Sequence, residues 1–481
     1  MKKHKPFAII SLALSLSLTA QFAACGEAAE NSPSDSTDPQ TGSASAATEL
    51  SDELGDYDFK GAAFNIVTCA DYFFSPYDVE TETGELLDDA AYQRNRTIEE
   101  RFNCDIVYTM LSGSGSEPAD AIRSSVTAGD DEYQLGIVHP YIGLSGLITG
   151  AYVLDMSDIP NLNYSKPWWN STFNEALSIG DILPCASSDF IYFNSGCIYF
   201  NKELAEKYSI EDPYGLVYDG KWTWDKLAEL AVGVAADLNG DGNMDASDQY
   251  GYSIINNHRM IPVTYSYGIS PSPKSDGYIT LDNLGSEKMH EIVENYYRLL
   301  YENEGALLLS SDELVPFRNG RVMFLHYVTQ NIKALRDLEW DFGILPMPKY
   351  DEAQEDYYSL AQSNVMVIPA TVNDTEFVGT IIEALSAYSY FHVLPALYET
   401  TFNSKYLRDE DSIAMFDIIK NSLIYDPLWN YNTSNNIVYF LSILMKDGSV
   451  DTASYYAKNH ESAELELRKF FDEALEAYEH D

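Results

Sequence analysis

The segment with the most specific chemistry runs Asp237-Leu238-Asn239-Gly240-Asp241-Gly242-Asn243-Met244-Asp245-Ala246-Ser247-Asp248. Oxygen side chains stand at loop positions 1, 3, 5 and 12, with glycine at position 6. That spacing wraps oxygens around one hard cation, and the glycine permits the sharp turn. Asp237, Asn239, Asp241 and Asp248 are the expected side-chain ligands. Asn243 would contribute its carbonyl, and Asp245 would act through water. The expectation is one structural Ca2+, with no part in catalysis. The alternative is a run of Asx turns with solvated acids.

A second chemistry comes from aromatic and amide residues clustered in loops. Trp168-Trp169-Asn170, Asn256-Asn257-His258-Arg259, His326-Tyr327 and Trp429-Asn430-Tyr431-Asn432 are the main examples. Aromatic faces stack on the C–H faces of sugar rings, while amides, acids and Arg supply planar hydrogen bonds to hydroxyls. Each cluster taken alone is also a normal piece of core or a loop cap. Their density is what points to a polyhydroxylated ligand.

Other chemistries fail inspection. Gly215 to Trp222 nearly spells a phosphate-binding loop, but Trp222 stands where a hydroxyl must reach the metal. Gly113-Ser114-Gly115 lacks the third glycine of a dinucleotide fingerprint. No G-x-S-x-G or H-E-x-x-H occurs. Glycoside hydrolysis needs only two facing carboxylates, and 75 acids neither exclude a pair nor single one out.

Composition narrows the partners. The 481 residues carry 29 Lys plus Arg against 75 Asp plus Glu, a formal charge of −46. Such an acid excess argues against nucleic acid and against docking on anionic lipid by a basic face. Lys2, Lys3 and Lys5 precede an apolar run from about Phe7 to Ala20, which ends in Phe22-Ala23-Ala24-Cys25. This is the pattern of a secretory leader over 1–24, too short for a good membrane span. Cys25 after Ala-Ala resembles a bacterial lipobox, so it is expected to be the lipid-modified first residue of the mature chain. Residues 26–50 hold no aromatic, Lys or Arg and read as part of a flexible tether over 25–55, roughly 25–30 Å in reach. The body is therefore expected outside the cytoplasm, anchored to the membrane through the N-terminal lipid only. Cys69, Cys104, Cys185 and Cys197 remain, either as one bridge (Cys185–Cys197) plus thiols or as four buried thiols.

These groups must be positioned by a framework of strands and helices. Ala63–Thr68, Asp105–Tyr108 and Gln134–Val138 read as strands, with a helix over Leu87–Phe102 between the first two. A strand–helix–strand opening predicts a parallel sheet flanked by helices. The tripeptide His139-Pro140-Tyr141 would then stand beyond a strand's carboxyl end, where open sheets bind ligands. Ile191–Phe200, Tyr250–Ile255 and Arg321–Leu325 are strand-like. Residues 375–398 and 461–478 are helical, the latter with an apolar stripe. The fold class is α/β, in two lobes.

At this point the chain resembles the bacterial extracellular solute-binding proteins, family 1, the sugar-binding lipoproteins of ABC transporters. The residues responsible are Lys166-Pro-Trp-Trp-Asn170, Ile198-Tyr-Phe-Asn201-Lys202-Glu-Leu204 and Lys221-Trp-Thr-Trp224-Asp-Lys-Leu227. To these add the acidic loop running into Asp248-Gln-Tyr-Gly251, then Phe317-Arg-Asn-Gly320-Arg-Val-Met-Phe324 and Phe342-Gly-Ile-Leu-Pro346-Met-Pro348-Lys349. The resemblance implies a two-lobed periplasmic-binding-protein-like fold (type II), each lobe a mixed sheet flanked by helices. Hinge crossings fall near Asp189, Leu325 and Asn373, so lobe 1 is 56–188 plus 326–372 and lobe 2 is 189–325 plus 373–481. Transferred ligand contacts are His139, Tyr141, Asp189, Phe190, Asn256, Asn257, Tyr327, Trp429 and Tyr431.

The implied function is capture of a mono- or oligosaccharide between closing lobes and delivery to a membrane permease, by a monomer without catalysis. Two rivals remain at this stage: a secreted glycan-active hydrolase, and a calcium-stabilised surface adhesion protein.

Overall fold

A computed structural model describes residues 52–70, 78–275, 278–335, 337–402, 410–434 and 436–479. The leader, Cys25 and nearly all of the tether lie outside the described residues. Nine strands build the two main sheets: β1 (Ala62–Cys69), β2 (Cys104–Leu111), β3 (Leu135–Val138), β4 (Gly196–Asn201), β5 (Tyr250–Ile255), β6 (Ala306–Leu309), β7 (Val322–Val328), β8 (Phe342–Leu345) and β9 (Val365–Val367). The helices used below are α1 (Leu86–Phe102), α2 (Thr375–Tyr388), α3 (Glu410–Asn421), α4 (Pro427–Tyr431) and α5 (Thr452–Tyr478).

The first sheet has the order β9-β3-β1-β2. β1 runs parallel to β2 and β3, with Phe64 opposite Ile106 and Ile66 opposite Leu135. Only β9 is antiparallel, against β3. Strands buried on both faces need apolar residues without alternation, which explains the unbroken burial of Ile66–Cys69 and Leu135–Val138. Helix α1 covers this sheet through Leu87, Ala91, Ile98 and Phe102, and ends at Asn103 in the left-handed conformation.

The second sheet has the order β8-β4-β7-β5-β6. Its β5 is parallel to β6 and β7, whereas β4 is antiparallel to β7 and β8. β4, β5 and β7 are buried along their whole lengths.

The chain passes from the first sheet to the second over 186–195, and Ile191–Ser195 of the expected strand belongs to this crossing, with β4 starting at Gly196. It does not return near Leu325. β7 continues through Val328 as a central strand of the second sheet, and β8 adds to the same sheet's edge. The return comes over 361–367, where Ala361 pairs with Ser195 and Met366 with Ala186. The crossing expected near Asn373 is also displaced. Helix α2 packs on the first sheet, its Phe377 and Ile381 in one apolar cluster with Phe64, Ile98 and Ile106. The next passage lies near 422–426, where the Ala361 amide donates to the Ile424 carbonyl (2.9 Å). Lobe boundaries therefore follow sheet membership: 326–345 belongs to the second sheet and 375–388 to the first.

Thr375–Leu397 is apolar and long enough to cross a membrane, but most of it is buried inside the fold as a core helix. Helix α5 is longer than its apolar stripe suggested, because Asp451 caps it by accepting from the Ser454 amide (2.9 Å). It ties both lobes: Tyr478 donates to the Val153 carbonyl (2.9 Å), and Glu464 accepts from the Leu281 amide (3.0 Å). Cys69, Cys104, Cys185 and Cys197 are four buried free thiols.

Candidate functional site

A cavity of about 260 Å3 opens where both sheets end and the crossings meet. His139 follows β3, His258 and Arg259 follow β5, and Val328 closes β7. Asn194 and Gln362 sit on the two crossings, and Tyr141, Trp429 and Tyr439 complete the aromatic part of the lining. Ligand sites beyond strand carboxyl ends are the rule in open α/β sheets.

Each group has a local reason for its place. Pro140 starts the turn Pro140–Leu144, fixing His139 at its entrance. The Asn257 side chain accepts from the Arg259 amide (2.8 Å), which caps the short turn carrying His258 and Arg259. Asp426 caps α4 by accepting from the Leu428 amide (2.7 Å), and so sets Trp429. Trp429 stacks on Tyr141, with ring centroids 4.7 Å apart at 26°. Tyr141 is held further by its hydroxyl on Asn436 and by the Asn432 amide on its carbonyl (3.1 Å).

The electrostatics of the lining are closed. Burial, reinforced by His258, drops the His139 pKa to about 3, and burial beside Arg259 drops that of His258 to about 4. Both rings are neutral at physiological pH. The Arg259 guanidinium pairs with Glu313 (3.2 Å) and lies 4.5 Å over the Tyr327 ring. No carboxylate lines the cavity among the described residues.

The hydrogen bonds, by contrast, are left open. Among the described residues, Asn194 Oδ1, both amide atoms of Gln362, Trp429 Nε1 and Arg259 Nε are buried without a partner. Their backbones are firmly placed: the Gln362 amide donates to the Asn194 carbonyl (2.7 Å), and the Asn194 amide to Ser363 Oγ (2.9 Å). Unpaired buried polar groups are costly and rare, and so mark a position for something else to bind.

Of the expected contacts, His139, Tyr141 and Trp429 come together here. Tyr327 lies one layer out, beneath Arg259, and Asn257 acts as a cap. Asn256 faces the main chain of Ser442 and Lys446. Tyr431 does not reach the cavity. Two residues along a helix from Trp429, it points to the other side, where its hydroxyl donates to the Leu177 carbonyl and its ring packs on Phe470 and Phe471. Asp189 and Phe190 also lie elsewhere. Phe190 is a core residue under Arg94 (4.8 Å), and Asp189 pairs with Lys420 of α3 (2.9 Å) beside a second cavity of about 230 Å3. Sequence reasoning missed Asn194, Gln362, Gln330 and Tyr439, and it noted His258 and Arg259 without choosing them.

The acidic loop has the expected turns, with Gly240 and Gly242 at φ 73° and 81°. Asp237 accepts from the Gly240 and Gly242 amides (2.6 and 2.9 Å), and Asp248 from those of Leu238 and Asp245 (2.9 and 2.8 Å). Asn239 and Asp241 accept from the amides two residues on. Each accepting oxygen keeps a second lone pair. Among the described residues, no three Asp, Glu, His or Cys side chains converge into a metal-holding group.

Neither a protein-family model nor a curated protein matches the chain. Solved structures do. The galacto-N-biose/lacto-N-biose I-binding protein of the Bifidobacterium longum ABC transporter superposes with TM-score 0.61 at 12% identity, covering 86% of this chain and 98% of that one. A sugar transporter protein from Rhizobium etli in an open conformation gives 0.58 at 14%, covering 86% and 99%. A cyclo/maltodextrin-binding protein complexed with maltotetraose gives 0.56 at 13%, covering 87% and 98%. The fold is thus the two-lobed α/β fold of periplasmic-binding-protein type.

Proposed function

We propose that the protein is the extracytoplasmic, carbohydrate-binding component of an ABC importer. The observation that carries this reading is the interlobe cavity itself. Its lining joins stacked aromatics to buried amide and indole groups whose hydrogen bonds are unmade, as a polyhydroxylated ligand requires. The structurally similar proteins include ones bound to lacto-N-biose and maltotetraose, which supports the same ligand class. A lining with neutral histidines and, among the described residues, no carboxylate disfavours glycoside hydrolysis, which needs an acid pair. Binding without turnover fits better.

Three finer elements belong to the same proposal: lipid attachment at Cys25, delivery to a membrane permease by a monomer, and a structural Ca2+ on Asp237, Asn239, Asp241, Asn243 and Asp248. A thermal-shift screen of mono- and oligosaccharides tests the core of it. A saturable rise in melting temperature with one-to-one stoichiometry is expected. No response to any carbohydrate contradicts the reading.

A further inference from the structure

The cavity's size, charge closure and unmade hydrogen bonds together restrict its ligand more than the word carbohydrate does. At about 260 Å3 the cavity is smaller than the roughly 300–1,000 Å3 of pockets that bury drug-sized ligands. That is the scale of one sugar ring.

Charge is the second restriction. Arg259 is the one formally charged residue of the lining among the described residues, and Glu313 already neutralises it within the protein, both side chains being mostly buried. A carboxylate or ammonium on the ligand would enter with no free countercharge, and a buried charge without a partner weakens binding. The burial that keeps His139 and His258 neutral removes the remaining sources of positive charge.

The third restriction is the mixture of open groups. Asn194 Oδ1 and Gln362 Oε1 require donors, whereas Gln362 Nε2, Trp429 Nε1 and Arg259 Nε require acceptors. A carboxylate only accepts and an ammonium only donates. A hydroxyl does both. Building on the carbohydrate reading, we propose that the site selects an uncharged single-ring sugar, with Asn194 and Gln362 on adjacent hinge crossings as the residues that read its hydroxyls. Because those residues belong to the two crossings, the ligand also bridges the segments that must move when the lobes close.

The test is calorimetric titration of the full mature chain with a panel of neutral hexoses, the matching uronates and 2-amino sugars, and maltotriose. A neutral hexose binds one-to-one, its charged analogues at least 50-fold more weakly, and the trisaccharide no more tightly than the hexose. Gln362→Leu weakens hexose binding by 10- to 100-fold and leaves the ligand-free melting temperature unchanged or higher, because it removes two unpaired buried groups. Preference for a uronate or amino sugar overturns the charge argument. Binding of the trisaccharide alone overturns the size argument, with the carbohydrate reading intact. A loss of melting temperature in Gln362→Leu without weakened binding assigns the residue to structure and overturns its role. Silence across the whole panel overturns both this inference and the function it rests on.

Discussion

Two cavities of similar size, about 260 Å3 and about 230 Å3, are lined in part by the hinge crossings. Both are lined by tryptophan, an amide and a basic side chain, so these residue types alone do not separate them. Their hydrogen bonds do. In the second cavity the Trp168 and Trp169 indoles donate to Glu383 (3.0 and 2.8 Å). Asn170 donates to the Tyr425 hydroxyl (2.8 Å), and Lys420 to Asp189 (2.9 Å). Asp189 Oδ2 departs from this pattern, being buried without a partner among the described residues. The first cavity leaves five polar atoms of Asn194, Gln362, Trp429 and Arg259 open. A satisfied network holds lobes and crossings together, whereas an unsatisfied one awaits a ligand.

Changes in the satisfied cavity should cost stability, and changes in the open one should cost affinity. The largest effect is expected from Glu383→Ala. It strands two buried indole N–H groups, with a loss of about 3 kcal/mol in urea denaturation and altered tryptophan fluorescence. Sugar affinity of the folded fraction should hold. Asp189→Ala leaves Lys420 without its partner and should cost about 2 kcal/mol, much of it recovered in Asp189→Ala/Lys420→Met. An unchanged stability in either variant would break the comparison.

The pH dependence sharpens it further. His139, His258 and His326 have pKa values lowered to about 3, 4 and 3, with burial the first cause in each. The unfolded chain, with ordinary values near 6.5, binds protons that the fold refuses, so these groups make stability fall as pH drops below about 6.5. Glu383 acts in the opposite sense. Burial raises its pKa to about 7 against the indole donors, so its contribution is present at low pH and fades between about 4.5 and 7. Thermal melts should show acid loss dominating below pH 6, less steeply than the three histidines alone would give. Glu383→Gln should steepen it. Sugar affinity, depending on His139 and His258 that stay neutral, should be flat from pH 5.5 to 8. The smallest effect is expected at the acidic loop, where chelation should lower the melting temperature by ~2–5 °C. An identical melt with and without chelator removes the calcium proposal.

Much of this framework was legible in local pattern. β1, α1, β2, β3 and β5 are long or strongly apolar, and the fold places them close to where periodicity did. The crossings were not, because β8 and β9 are four- and three-residue strands whose sheet is chosen by distant pairing, β8 with β4 and β9 with β3. Within the site, His139 was readable from its strand end and Trp429 from its aromatic cluster. Trp429 and Tyr431 were not separable without knowing that a helix turns one of them into the core. Asn194 and Gln362 carried no signal, since an isolated amide is unremarkable until a 168-residue separation is closed by the hinge.

On the proposed reading, the open hydrogen bonds around Asn194, Gln362 and Trp429 are completed by a neutral sugar. Calorimetric titration of a neutral hexose into the wild-type protein, Gln362→Leu and Asp189→Ala tests it most directly. One-to-one binding is expected, weakened at least tenfold by Gln362→Leu and unchanged in folded Asp189→Ala. Equal affinity in wild type and Gln362→Leu, or loss in Asp189→Ala alone, would contradict it.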